Sequence, residues 1–166
     1  MLRVDHAGEY GAVQIYKGQL AVFEALPGKS RTAAIIAHMQ AGETSHLQAF
    51  DKLLAERGVR PTLLAPVWNA AGFALGAATA LMGVRAAMAC TEAVEDVIEK
   101  HYRAQAGELA TADPGLAATI GGFRDDELHH KETAEAEGAK EAFGYSALKT
   151  VIQAGCRAAI RLSEKL

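Results

Sequence analysis

Two strings of the chain, GEYGAVQIYKGQ at 8–19 and VEDVIEKHYRAQ at 94–105, carry a glutamate, a tyrosine and a glutamine at identical spacing. They are Glu9, Tyr16 and Gln19 in the first and Glu95, Tyr102 and Gln105 in the second. Thirty-four residues after Glu9 comes Glu43-x-x-His46, and thirty-two residues after Glu95 comes Glu127-x-x-His130. Residues three apart share one side of a helix, so each ExxH pair aims a carboxylate and an imidazole at the same neighbour. With 14 Glu and 6 His among 166 residues, chance supplies about half an ExxH match, so one alone means little. Two, each preceded by a glutamate at nearly the same distance, describe a duplicated helical hairpin. Each copy offers one Glu from its first helix and a Glu-x-x-His pair from its second.

That pattern dictates a chemistry. Four helices packed with these positions inward gather four carboxylates and two imidazoles around one point, as in di-iron and di-manganese carboxylate bundles. Without cations, four negative charges would share a low-dielectric core at prohibitive Coulomb cost. Two divalent cations neutralise them. A carboxylate-rich, sulfur-free donor set argues for iron, or manganese, over structural zinc. In the expected geometry Glu43 and Glu127 bridge two metals, His46 and His130 cap one each, and Glu9 and Glu95 are terminal ligands. Any one of these glutamates alone would read as a surface ion pair; the six together read as a metal site. His6, His38 and His129 stand outside the repeat and read as surface groups or neighbours of the ligands. Asp125 or Asp126, beside Glu127, is placed to orient an imidazole, and spacing does not choose between them. His101 and Tyr102 lie about two turns beyond Glu95. Packing is the plain account of Tyr102 and its counterpart Tyr16; the sharper one is a hydrogen-bonded proton or electron relay to the metal pocket.

The rest of the chain is helical in pattern. Pro27-Gly28, Arg60-Pro61 and Asp113-Pro114-Gly115 punctuate it, predicting helices near 4–25, 30–57, 84–111, 116–142 and 146–165, with Gly144 at a turn. Half the residues are hydrophobic but only 6% are aromatic, which favours packed helices over sheet. The net charge of −3 and the lack of a basic run with interleaved aromatics give no case for nucleic acid. Cys90 and Cys156 form no CxxC, so a disulfide framework or sulfur-bound cluster is not expected; both read as small buried hydrophobes. No signal or transit-like segment is recognisable at MLRVDH. PTLLAPVWNAAGFALGAATALMGV, 61–84, is free of charge. It reads first as a buried or crossover helix, next as a helix lying in a lipid interface, and least as a membrane span, because Pro66, Asn69 and its glycines spoil it. The last run is amphipathic, with Leu148, Val151, Ile152, Gly155, Ala159 and Ile160 on one side and a basic stripe of Lys149, Arg157, Arg161 and Lys165. Such a stripe is a solvated face, or a site for anionic headgroups.

RVDHAGEYGA, RPTLLAPVWNAAGFALGAATALMG, AMACTEAVE and LKTVIQAGCRAAIRLSEKL resemble the demethoxyubiquinone hydroxylases, di-iron monooxygenases of ubiquinone biosynthesis, nearly end to end. The resemblance implies an all-α, ferritin-like four-helix bundle, with an apolar crossover helix and an additional C-terminal amphipathic helix. It is expected as a single domain over 1–166, with hairpins at about 1–60 and 84–142, a crossover at 61–83 and a last helix at 146–165. The family's six iron ligands fall on Glu9, Glu43, His46, Glu95, Glu127 and His130, the six that spacing selects, and its His-Tyr pair falls on His101 and Tyr102. The implied reaction is hydroxylation of a polyprenyl demethoxy-benzoquinol ring by O2, a 5-demethoxyubiquinone 3-monooxygenase-type activity with two iron ions. The implied partners are the quinol, a membrane surface and a lipid-binding accessory protein, with homo-oligomers left open. The implied location is peripheral, on the cytoplasmic face of a bacterial inner membrane or the matrix side of the mitochondrial one. No GxGxxG follows a strand, so electrons come from a partner, from NADH bound in an unrecognised way, or from the quinol. The competing reading is a ferritin-like ferroxidase or iron store, against which the uncharged stretch between hairpins speaks. A metal-free membrane adaptor is the third class, and six intact ligand positions speak against it.

Overall fold

A computed structural model describes residues 1–166 as six α-helices and a short 3-10 turn, without a strand. The helices are α1 (Leu2–Phe23), α2 (Ser30–Glu56), α3 (Ala65–Leu81), α4 (Val84–Leu109), α5 (Pro114–Ala136) and α6 (Tyr145–Lys165). Helix α1 packs on α2, and α4 on α5, giving two hairpins that meet as a four-helix bundle. Left-handed Gly28 (φ 73°) turns the first hairpin, a conformation that side chains resist. Asp113 opens α5 by accepting from the Leu116 amide at 3.0 Å, with Pro114 in the first turn. That is the capping chemistry a helix start needs. Helix α5 ends at Ala136, six residues before the expected boundary, because Gly138 turns left-handed at φ 92° and a 3-10 turn follows at Ala139–Glu141.

Two apolar clusters flank the ExxH level of the bundle. On α2, Ile36 and Met39 precede Glu43, whereas Phe50 and Leu54 follow His46; all four are buried. Their burial contributes roughly 1.5–3 kcal/mol per side chain. The polar layer is thereby sealed from both ends.

The uncharged stretch forms α3, which crosses from one hairpin to the other along α1. Its contact is backbone on backbone. A Cβ on Gly72 would come within 2.9 Å of the Gly11 carbonyl oxygen, and one on Gly76 would overlap the backbone of Ile15. The glycines that make this stretch a poor membrane span are therefore what lets α3 dock. It is not a buried helix. Leu63, Val67, Phe73, Leu81 and Met82 are exposed on it and at its ends, and no helix is long and apolar enough to cross a membrane.

Helix α6 packs on α4 and α1. Of its apolar side Ile152 is buried and Leu148, Ala159 and Ile160 are partly so, whereas Val151 and Gly155 stay exposed; the basic stripe loses Lys149. Its Nζ donates at 2.6 Å to Glu92, a fully buried carboxylate that also accepts from the Tyr145 hydroxyl at 2.9 Å. A buried charge needs a partner, and that need outranks the periodicity that put Lys149 with Arg157, Arg161 and Lys165.

Candidate metal centre

Glu9 on α1, Glu43 and His46 on α2, Glu95 on α4, and Glu127 and His130 on α5 converge at the middle of the bundle, and all six are buried. Their donor atoms form two overlapping groups. Glu9, Glu43, His46 and Glu127 bring one atom each within 4.8 Å of one another, and so do Glu43, Glu95, Glu127 and His130. Glu43 and Glu127 belong to both groups, where bridging ligands would sit. Glu9 goes with His46, and Glu95 with His130.

Nδ1 of both imidazoles faces the acids: His46 lies 3.3 Å from Glu127 and 3.5 Å from Glu9, and His130 lies 2.8 Å from Glu43. Even that shortest approach lacks hydrogen-bond alignment. One oxygen each of Glu9 and Glu95, both oxygens of Glu43 and Glu127, and both Nδ1 atoms have no hydrogen-bond partner in the protein. Orphaned buried polar atoms are rare because each costs about 1–3 kcal/mol. Eight of them aimed at one point fit two divalent cations.

The electrostatics agree. Burial, reinforced by the charges of Glu95 and Glu9, holds the Glu43 carboxyl well above its ordinary range. Burial, with Glu43 and Glu95 nearby, does the same to Glu127. Burial lifts Glu95 to about 7 even though the hydrogen bond from Tyr16 pulls it down. His130 is lowered to about 4, by burial first and the neighbouring His46 second. Burial alone would lower His46, but the facing carboxylates of Glu9 and Asp126 raise it. A cation pair reverses this logic by stabilising every carboxylate in its ionised form.

The surrounding hydrogen bonds follow the duplication. Tyr16 on α1 donates to Oε1 of Glu95 on α4 at 2.6 Å, and Tyr102 on α4 donates to Oε1 of Glu9 on α1. Each hydroxyl fixes the outer oxygen of the opposite helix's glutamate and leaves Oε2 facing inward. Burial and neighbouring carboxylates raise both phenols well above 10, so both remain donors. Packing alone is therefore too little to explain the repeated tyrosines. Of the two aspartates beside Glu127, Asp126 lies 3.1 Å from Nε2 of His46, whereas Asp125 pairs with Arg124 at the surface. His38 and His129 are exposed. His6 is buried, paired with Asp51 at 2.9 Å across the first hairpin.

Beside the cluster lies an apolar cavity of about 380 Å³ between α1, α3, α4 and α6, with His101 and Tyr102 in its wall. Helix α6 supplies Val151, Ile152, Gly155, Ala159 and Ile160 to it. Cys156 lines it as well, its thiol pushed by burial to about 11 and so kept protonated. Asp5, which no motif singles out, places Oδ1 2.9 Å from Nε2 of His101 and accepts at Oδ2 from Gln105 at 2.7 Å. A lone acid in a first helical turn looks like dipole compensation; its one signal is Gln105, a repeated residue without an assigned partner.

The family model described as ubiquinone biosynthesis protein COQ7 matches residues 1–163. The chain belongs to the demethoxyubiquinone hydroxylase family. A 3-demethoxyubiquinol 3-hydroxylase of Rhodospirillum rubrum is 50% identical over 165 residues, covering 99% of this chain and 76% of that protein. The mitochondrial NADPH-dependent 3-demethoxyubiquinone 3-hydroxylase of Mus musculus is 49% identical, with 99% and 76% covered. The mitochondrial 5-demethoxyubiquinone hydroxylase of Saccharomyces cerevisiae is 40% identical, with 100% and 77% covered. The relatives are hydroxylases of both bacterial and mitochondrial origin, and the storage alternative finds no support among them.

Proposed function

We propose that this protein hydroxylates the ring of a polyprenyl demethoxy-benzoquinol with O2, using two iron ions held by Glu9, Glu43, His46, Glu95, Glu127 and His130. The observation that carries this reading is the junction of cavity and cluster. Tyr102 lines the apolar space, and its hydroxyl is bonded to Glu9. A ring seated there lies one side chain from the donor set. The bound irons supply O2 activation. The chain's residues do the rest: the helices α1, α3 and α6 exclude water around the ring, Tyr16 and Tyr102 keep the terminal glutamates aimed, and Asp126 orients His46. Electrons come from a reduced nicotinamide nucleotide, as in the relatives named NADPH-dependent. The tail belongs in lipid, and Leu63 just before α3, with Val67, Phe73 and Leu81 on it, meets a membrane surface while Arg157, Arg161 and Lys165 on α6 meet anionic headgroups. Binding is thus peripheral, and a lipid-binding accessory protein fits the same apolar face.

The test uses the iron-loaded protein, anionic liposomes carrying a long-tailed demethoxyquinone, a nicotinamide reductant and ¹⁸O2. Expected are one labelled oxygen in the ring and a protein that stays with the vesicles through a high-salt wash. O2 consumption indifferent to the quinone, with ferric iron accumulating, would overturn the assignment; release by salt alone would overturn apolar anchoring.

The cavity has glycine in its walls. A Cβ on Gly8 or Gly155 would meet nothing within 4 Å, and both line the space from mid-helix positions. Glycine there costs roughly 0.5–1 kcal/mol against alanine, and packing gives no reason for it. Gly8→Ala and Gly155→Ala are expected to raise the melting temperature by a few degrees while raising KM for the quinol. Thermal melts and steady-state kinetics check this; a stabilised enzyme with unchanged KM would show that the ring does not use that space.

A further inference from the structure

Asp5 stands outside the metal cluster: its side chain is fully buried, yet both its oxygens are engaged, by His101 and by Gln105. Packing does not ask for it either, as the duplicated half shows. There the counterparts of Asp5, His101 and Gln105 are Thr91, Ile15 and Gln19. Gln19 is satisfied by the Ala87 carbonyl at 3.1 Å and the Thr91 hydroxyl at 3.4 Å. A threonine therefore serves the glutamine without burying a charge, which costs several kcal/mol. The acid–imidazole pair occurs only where both its members line the cavity. Asp5, His101 and Tyr102 line it; of their counterparts Ile15 does, with an inert side chain, and Thr91 and Tyr16 do not.

We propose that Asp5 is a positioning residue for the reaction, fixing His101 at the cavity wall as the base that takes a proton from a ring hydroxyl of the bound quinol. The inference rests on the proposed function and adds to it a residue and a tautomer. A carboxylate only accepts, so the hydrogen bond assigns the His101 proton to Nε2 and leaves the lone pair on Nδ1. Nδ1 has no hydrogen bond within the protein. In the step, the ring O–H bond breaks and an N–H bond forms at Nδ1, with no change of oxidation state. The imidazolium is stabilised by Asp5, as an acid behind a catalytic histidine does elsewhere. The phenolate oxygen pushes electron density to the ring carbon beside it, which prepares that carbon for an electrophilic oxygen. The proton then leaves through the edge of His101, whose side chain is 28% exposed.

The test combines full-length wild type, Asp5→Asn, His101→Gln and the double variant. Ring ¹⁵N shifts of His101 are read in the zinc-loaded protein, which is diamagnetic and needs no substrate. Iron content, kcat and KM are read in the iron-loaded one. Wild type is expected to carry Nε2–H. Asp5→Asn is expected to disturb that tautomer and lower kcat by about 10²-fold or more while keeping its iron and KM. In the His101→Gln background it is expected to cost nothing further, since the two act as a unit. Three results overturn the proposal: an Nδ1–H tautomer in wild type, an unchanged kcat in Asp5→Asn, or an equal loss in the two backgrounds. If Asp5→Asn does not fold, Asp5→Glu takes its place in the cycle with the same non-additivity expected. A wild type that hydroxylates no demethoxyquinol defeats the proposed function instead, and the tautomer still decides the role of Asp5.

Discussion

Metal-free protein is expected to lose stability as pH rises through neutrality, and two divalent cations are expected to abolish that loss. Burial pushes Glu95 up to about 7 in the fold against about 4.5 for an ordinary glutamate, and holds Glu43 and Glu127 well above that ordinary range. Below about pH 4.5 these acids are protonated in folded and unfolded chains alike, and they cost nothing. Above it the unfolded chain ionises while the fold keeps its protons, so stability falls by about 1.4 kcal/mol per pH unit for each such group. For Glu95 the fall continues to about pH 7 and totals on the order of 3 kcal/mol; for Glu43 and Glu127 it continues further. His46, raised, adds stability at low pH that is likewise lost on going up. His130, lowered to about 4, works the other way, because the unfolded chain takes up its proton below about 6.5. One opposing group against three acids leaves the slope downward, and above about pH 6.5 nothing opposes it. For a chain of this length, a few kcal/mol is roughly 10 °C in melting temperature. Thermal melts across this range, metal-free and loaded anaerobically with Fe(II), check the expectation. Equal metal-free stability at about pH 6 and pH 8, with no shift on adding metal, would show that the six residues hold no cations.

The same residues explain what the sequence could and could not disclose. Glu43 with His46, and Glu127 with His130, were legible because helix periodicity alone puts each pair on one side, and duplication supplied the independent repeat. Tyr16 and Tyr102 were visible as repeated residues, but their crossing over, each to the other hairpin's glutamate, is a property of how α1 and α4 face one another. Asp5 was not legible, since its burial depends on His101 and Gln105, about a hundred residues away in the chain. Lys149 misled for the same reason: its partner Glu92 lies on another helix, so surface periodicity assigned it to solvent. Hydropathy could not settle 61–84, because an apolar helix that docks through glycines on one side and exposes Leu63, Val67 and Phe73 on the other has the composition of a buried one. Local rules thus located the donors. Contacts between helices decided how they are held.

The substitution Glu43→Gln is expected to act in opposite directions on the empty and loaded forms. Glu43 is fully buried, both its oxygens lack hydrogen-bond partners, and it belongs to both donor groups. In the metal-free protein its ionised form is costly, because it is buried with Glu95, Glu9 and Glu127 around it. An amide of the same shape carries no charge and can donate to one of those carboxylates, so the metal-free melting temperature at about pH 8 should rise by several degrees, a gain on the order of 1–3 kcal/mol. The loaded protein should lose far more. An amide is a weak ligand for iron, and removing a group shared by both positions weakens both, so the metal-induced stabilisation and the hydroxylase activity should fall together, activity by about 10³-fold or more. Stability is here given up for function, which is why the sign matters. A packing role for Glu43 predicts a loss in both forms. Calorimetry with and without Fe(II), beside metal analysis, separates the two: a Glu43→Gln protein less stable than wild type when both are metal-free would mean that the acids hold the bundle together through protein contacts alone.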